Sequence, residues 1–286
     1  MNERSPLRLV NLPLVAAVLL LALYGSVMVR SAVSGMEYGD AMFTRHVVGM
    51  VVGVLLLVAA WAVDYRRLAG WVGPLFFACL ALIISPRVPG LGATAKGATL
   101  WLEVAGVRLF QPSEPAKLVF IVMLAAAVAH HKGRIDAPRD VMRLAGLALA
   151  PTALVVAVGD LGTGLVFLVI AAGILLVGGL SGRWFAVLGL AAVLGVGALF
   201  AANEIGNRVL ERGPYDPAYL EASDKSQAPD TSVLIKRYQM NRLLVFMDPT
   251  VDPTGAGYNL EQSKIAIGSG QITGKGLGSG TQGNLN

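Results

Sequence analysis

Charge is scarce in this sequence. Only 14% of its 286 residues are Asp, Glu, Lys or Arg, where an ordinary soluble domain carries about 25%. Cysteine occurs once, as Cys79 inside an apolar run. No disulfide can therefore form within the chain, and a cysteine-rich metal site is excluded. Histidine occurs three times, as His46, His130 and His131, too few and too scattered for a histidine-based metal centre. The net charge of +5 is not a nucleic-acid signal in so apolar a chain; surplus Lys and Arg report orientation in a membrane instead. What fills the sequence is hydrocarbon: 55% of residues are hydrophobic and the mean hydropathy is +0.64. A disordered chain, a nucleic-acid-binding domain and a disulfide scaffold are all excluded.

The apolar residues fall into runs. A membrane-spanning helix needs about 20 mainly apolar residues, and only helices and closed barrels satisfy every backbone group in hydrocarbon. Seven runs qualify as helices: 11–29, 46–63, 71–85, 116–130, 144–158, 161–180 and 184–202. The first is too long, and lacks the small-residue cleavage site, for a secretory signal peptide. The expected fold is thus an all-α polytopic membrane protein, with a transmembrane bundle over residues 1–202 and an extracytoplasmic loop over 203–286. With the N-terminus placed in the cytoplasm, nine basic residues fall inside (Arg4, Arg8, Arg66, Arg67, Lys132, Arg134, Arg139, Arg143 and Arg183). Five fall in the short outer loops (Arg30, Arg45, Arg87, Lys96 and Arg108). That bias favours the N-terminus inside.

The polar remainder then lies on the outer side, in residues 86–113 and after Asn203. The tail is nearly neutral, with eight basic and nine acidic residues, and it ends in a glycine-rich stretch, Gly268–Gly283. Its Gly278-Ser279-Gly280-Thr281-Gln282-Gly283 fits a dinucleotide-binding pattern, yet no strand or βαβ unit surrounds it. Gly270–Lys275 is one residue short of a P-loop, and Gly276 stands where Ser or Thr is required. Both read as irregular glycine-rich chain.

Two segments carry more chemistry. In Gln111-Pro112-Ser113-Glu114-Pro115-Ala116-Lys117, Ser113 suits a helix N-cap and Glu114 the positive end of the helix. Lys117, three residues on, shares a face with Glu114. A capped start with a surface ion pair explains this much. An ionisable residue entering a span is costly, however, and tends to face a cavity or a partner. The second segment, Asp248-Pro249-Thr250-Val251-Asp252-Pro253-Thr254-Gly255-Ala256-Gly257-Tyr258, has turn chemistry. It follows an amphipathic stretch, Val233–Phe246, suited to the membrane surface.

These segments, in this order, resemble the SEDS family (shape, elongation, division and sporulation). The anchors are Gly97–Leu102, Phe110–Lys117, Asp160-Leu161-Gly162-Thr163-Gly164 and Asp252–Tyr258. They continue through Gln262–Gly270, Gly274-Lys275-Gly276 and Gly280-Thr281-Gln282. The Ser263–Gly270 and Gly280–Gln282 pieces are similar to the elongation (RodA-like) branch. The resemblance implies a peptidoglycan glycosyltransferase that polymerises lipid II on the outer face of the cytoplasmic (inner) membrane, beside a class B penicillin-binding protein. It implies about ten spans, so a chain ending at Asn286 is expected to be C-terminally truncated. Departures are Thr99 and Leu100 before Trp101 where a basic residue is usual, Pro115, Gln271, Gly159 in place of a proline, and a polar insertion over 213–232.

The implied reaction joins a sugar hydroxyl to an anomeric carbon and expels a lipid diphosphate. It needs a base at the hydroxyl and positive charge at the leaving group. Asp252 matches the family's acidic position and is the expected base, with Asp248 as the fallback. Lys117 is the expected diphosphate charge and Glu114 its orienting partner. Trp101, Arg45, Lys96, Arg108, Gln111, Ser113, Gln262 and Ser263 are the expected substrate-binding set. The sequence offers no dedicated metal cage; the candidate cofactor is a divalent cation, Mg or Mn, held by Asp252 with phosphate oxygens and water. The expected partners are lipid II, the penicillin-binding protein and membrane lipid, with no nucleic acid. The rival functions are a flippase for the lipid-linked precursor and a non-catalytic scaffold. Against the flippase, no internal repeat of the transporter kind is evident.

Overall fold

The computed structural model describes residues 11–95, 98–104, 107–131, 133–221, 230–247 and 257–280. The contacts divide the chain into two compact units, Met1–Val63 with Leu244–Asn286, and Asp64–Leu243.

In the first unit, α1 (Leu12–Val33) and α2 (Gly39–Ala62) form a helical hairpin. Asn11 starts α1 by accepting from the Leu14 N–H at 3.2 Å, and Pro13 sits in the first turn where its missing N–H costs nothing. Large apolar side chains such as Leu20, Leu21, Leu55 and Leu56 stand exposed along both helices, as they must where lipid is the solvent. One polar seam joins them. The Ser26 hydroxyl lies 3.1 Å from His46 Nε2 and 3.0 Å from Met50 Sδ. Both helices outrun the apolar stretches of the sequence. Arg30 and Arg45 were expected in an outer loop; they belong to α1 and α2. Arg30 pairs with Asp40 at 2.5 Å, and Asp40 stands in the first turn of α2, where a negative charge suits the helix dipole. The same unit holds α10 (Tyr258–Gly270), followed by a turn with positive φ at Gly274, Gly276 and Gly278. The Gly278 N–H donates to Ser31 Oγ at 2.6 Å, tying the glycine-rich segment back to α1.

The second unit begins with a 3₁₀ turn (Tyr65–Trp71) and α3 (Val72–Ile84). A small antiparallel sheet follows, with β1 (Gly92–Ala95), β2 (Ala98–Val104) and β3 (Val107–Arg108) in the order β1-β2-β3. Then come α4 (Ser113–Ala129), α5 (Pro138–Ala157), α6 (Leu161–Val177) and α7 (Gly182–Val209), with the short α8 (Pro217–Glu221) and α9 (Arg237–Met247), which ends past the unit's boundary. Helices α3 to α6 pack around Cys79, Phe120, Met123, Leu124, Leu144, Val155 and Phe167. The Phe120 and Phe167 rings meet at 4.7 Å between centroids, tilted by 39°. At Gly164 a Cβ would lie 2.5 Å from Val156 Cγ2, so α6 approaches α5 closer than a side chain permits.

All seven expected apolar helices are present. Among the described residues five stretches are long and apolar enough to cross a membrane: Leu12–Val33, Gly39–Trp61, Arg66–Arg87, Pro138–Ala157 and Gly182–Tyr215. Helices α4 and α6 are shorter, at 17 residues each. A small sheet is added to the expected helical fold. It forms where residues 86–113 leave the apolar pattern and need backbone partners of their own.

At the far end of the unit, the chain after α4 is latched to the α6–α7 turn. The Ile135 N–H donates to Gly179 O at 2.9 Å and the Ser181 N–H to Ile135 O at 3.0 Å. Trp184 Nε1 donates to Asp136 O at 3.0 Å, and Arg183 pairs with Asp136 at the same distance.

Candidate functional site

A polar assembly gathers where α4 and α6 begin. Asp160 caps α6: its Oδ1 accepts from the Thr163 N–H at 3.0 Å and its Oδ2 from the Thr163 hydroxyl at 2.8 Å. The carboxylate thus sits at the positive end of the helix, where a negative charge is stabilised. Gln111 Nε2, from the segment leading into α4, donates to Asp160 Oδ2 at 2.7 Å. The two carbonyls just before Asp160 are also taken. Arg87 Nη2 donates to Val158 O at 2.6 Å, and Gln239 Nε2 donates to Gly159 O at 2.8 Å. One turn, Val158–Asp160, therefore ties together the chain after α3, the entry to α4 and the start of α9. Gly159 makes the turn possible, because its φ of +100° lies in the region that favours glycine. A proline, with φ near −65°, could not stand there.

Beside this knot lies the expected charge pair. Lys117 Nζ donates to Glu114 Oε1 at 2.9 Å, with Glu114 59% exposed and Lys117 at 23%. Ser113 does not cap α4 as expected. Pro112 stands in helical geometry before it, so Ser113 is already the first helical residue. Its hydroxyl is buried and has no hydrogen-bond partner among the described residues, one turn from Lys117. On the sheet, the Arg108 guanidinium lies over the Trp101 ring, 5.7 Å from its centroid.

Of the expected site residues, Glu114, Lys117, Gln111, Ser113, Trp101 and Arg108 all belong to the second unit, on α4, its lead-in and the sheet. Arg45 on α2 and Gln262 and Ser263 on α10 belong to the first unit, where Gln262 Oε1 is buried without a partner among the described residues. Asp248, Asp252 and Lys96 lie outside the described residues. Among the described residues no group of three or more His, Cys, Asp or Glu side chains gathers as a metal site, and Asp252, the candidate ligand, is not among them.

The sequence reading missed the organising roles of Asp160, Arg87 and Gln239. Asp160 was visible as an acidic residue before a Leu-Gly-Thr-Gly helix start; its partners were not. Gln239 also orders its own neighbourhood, since its Oε1 accepts from the Lys236 N–H at 2.9 Å. The chain leading into α9 is docked on α7 by two buried asparagines. Asn207 Oδ1 accepts from the Val233 N–H at 2.9 Å, and Asn203 Oδ1 accepts from the Leu234 and Ile235 N–H groups at 2.9 and 2.8 Å.

Asp160→Ala is expected to destabilise the protein by about 1–3 kcal/mol, because the cap is lost and Gln111 is left without its acceptor. Asp160→Asn, which keeps an acceptor oxygen, is expected to lose less. Thermal unfolding of the detergent-solubilised variants ranks the two; equal losses would mean that the charge, not the cap, matters.

The fold and this polar end define a multi-pass helical membrane protein with polar groups gathered at one end of its core helices. The family is then plain. The family model of the FtsW/RodA/SpoVE cell cycle proteins matches residues 11–286, and the chain belongs to that family. It is 32% identical over 277 residues to the peptidoglycan glycosyltransferase MrdB of Escherichia coli K12, covering 96% of this chain and 64% of that one. It is 30% identical over 272 residues to a probable peptidoglycan glycosyltransferase FtsW of Geobacter sp. strain M18, covering 92% and 64%. The chain thus spans just under two thirds of these relatives. Among solved structures, a chain from a peptidoglycan synthase complex that coordinates polymerisation and crosslinking matches with a TM-score of 0.55 and 27% identity, covering 89% of this chain and 65% of that one. A mutant of the Thermus thermophilus rod shape determining protein RodA matches with a TM-score of 0.50 and 28% identity, over 62% and 58%.

Proposed function

We propose that this protein polymerises lipid II into glycan strands at the outer face of the cytoplasmic membrane, for cell elongation, beside a class B penicillin-binding protein. One observation carries the reading: a chain matched from residue 11 to 286 by the family of named peptidoglycan glycosyltransferases holds the Lys117–Glu114 pair beside the Asp160 knot. The charge bias that places the N-terminus inside would put this end on the outer side.

In this mechanism Asp252 takes the proton from the 4-hydroxyl of one sugar. The oxygen attacks the anomeric carbon of the other, the bond to the diphosphate breaks, and the lipid diphosphate leaves with the electron pair. Lys117 balances the charge that develops on the leaving oxygens. Glu114 holds the ammonium in place. The Asp160 knot fixes the start of α4 so that Lys117 is positioned before substrate arrives.

Reconstitution in vesicles loaded with labelled lipid II, with the penicillin-binding partner present, tests the proposal. Glycan strands are the expected product. Translocated lipid without strands would make the protein a flippase, and neither product would make it a scaffold.

A further inference from the structure

A cavity of about 280 Å³ opens at the opposite end of α4 from Glu114 and Lys117. Its walls come from the 3₁₀ turn and the start of α3 (Gly70, Gly73), the end of α4 (His130, His131) and α5 (Arg143, Leu144). We infer that this cavity holds the phosphate of an anionic phospholipid headgroup in the membrane leaflet at that end.

The chemistry of the wall is that of an anion site. Arg143 is exposed and makes no ion pair among the described residues. The imidazoles are fixed from behind: His130 Nδ1 donates to Ala126 O at 2.7 Å and His131 Nδ1 to Ala127 O at 3.2 Å. Each ring therefore carries its proton on Nδ1 when neutral. The surrounding segments are basic in sequence, with Arg66, Arg67, Lys132, Arg134, Arg139 and Arg143 against Asp64, Asp136 and Asp140. Two of the three acids are engaged away from the cavity: Asp64 caps the 3₁₀ turn at the Arg66 N–H, and Asp136 pairs with Arg183. Asp140 lies 3.7 Å from His131 Nε2 and offsets part of the charge at the wall. The basic residues of these segments still outnumber the acids, six to three.

A lipid fits better than a free anion because the wall continues into an apolar surface. Phe77, four residues after Gly73 and so on the same helix face, is 69% exposed. Trp71, at the rim, is 58% exposed, and Met142, beside Arg143, 66%. Aromatic residues of this kind sit at headgroup level, and basic pockets between membrane helices suit anionic headgroups. Acyl chains would lie along the apolar surface while the phosphate entered the cavity.

The glycines supply the test. A Cβ at Gly73 would meet no atom within 4 Å, so Gly73→Leu fills the cavity and removes no charge. Arg143→Gln removes the guanidinium charge and His130→Gln the imidazole, and both keep a polar side chain. Arg208→Gln, at the end of α7 and paired with Glu204, is the control. The detergent-solubilised protein is titrated with short-chain phosphatidylglycerol, short-chain phosphatidylcholine and inorganic phosphate, with binding read by native mass spectrometry. Phosphatidylglycerol is expected to bind tighter than phosphatidylcholine. Arg143→Gln is expected to weaken it by about fivefold, as removal of one basic group near an anionic headgroup does. Gly73→Leu is expected to abolish it, and Arg208→Gln to leave it unchanged. Equal binding of the two lipids, or wild-type binding by both Arg143→Gln and His130→Gln, would overturn the inference; these two variants decide it even where Gly73→Leu fails to fold. Inorganic phosphate binding as tightly as phosphatidylglycerol would overturn the lipid in favour of a free anion.

Discussion

Asp252→Asn is expected to lower lipid II polymerisation by about 10²–10⁴-fold, the range set by loss of a positioned general base. The substitution keeps the size and planarity of the side chain and removes its basicity, so protein level and melting temperature should stay at the wild-type values. A sugar hydroxyl is a weak nucleophile and must lose its proton as it attacks, whereas a diphosphate leaves readily once its charge is balanced. One carboxylate and one cation therefore suffice. Strand synthesis is followed with labelled lipid II and the penicillin-binding partner present. Asp248→Asn, four positions earlier, is the comparison. Undiminished synthesis by Asp252→Asn with loss in Asp248→Asn would move the base to Asp248; undiminished synthesis by both would remove the carboxylate mechanism.

The seven apolar helices were legible in the sequence because lipid imposes a demand that composition alone records. A span must be apolar over most of its length, so the run itself identifies it without knowledge of its partners. The ends were less legible. Helix α2 begins at Gly39, seven residues before the expected start at His46, with a polar first turn in which Asp40 suits the positive end of the helix and meets Arg30 of the other arm. The site divides in the same way. Glu114 and Lys117 are three residues apart on one helix, and helical spacing puts them together without knowledge of the fold. Asp160, by contrast, draws Gln111 from 49 positions away, and its turn draws Arg87 and Gln239 from 71 and 80 positions. No local pattern encodes those distances. The α5–α6 turn could be recognised as a motif, while its role as the knot that holds the start of α4 had to be read from the folded chain. The sheet of residues 92–108 escaped for a different reason. Its strands are two to seven residues long and carry no sustained alternation of apolar and polar side chains.

Lys117→Ala is expected to lower the turnover of lipid II by about 10²–10³-fold, the range seen when one group that stabilises a developing oxyanion is removed, with the fold intact. Two readings of Lys117 compete, and their magnitudes separate them. As a structural ion pair, it joins a side chain 23% exposed to one 59% exposed, and exposed pairs of this kind contribute about 0–1 kcal/mol. Such a loss would barely move the melting temperature and would leave turnover alone. As the charge facing the leaving diphosphate, Lys117 acts most strongly in the transition state, so its removal should fall on kcat more than on KM. Lys117→Arg keeps the charge and should recover part of the rate. Glu114→Gln should cost less than Lys117→Ala, because it loosens the ammonium without removing it. The measurement is kcat and KM for strand synthesis beside thermal unfolding of each variant. A Lys117→Ala protein that unfolds or fails to accumulate, while Lys117→Met of similar length folds and turns over lipid II normally, would return the residue to a purely structural role. A folded Lys117→Ala protein with depressed kcat and partial recovery in Lys117→Arg would place its charge at the leaving group.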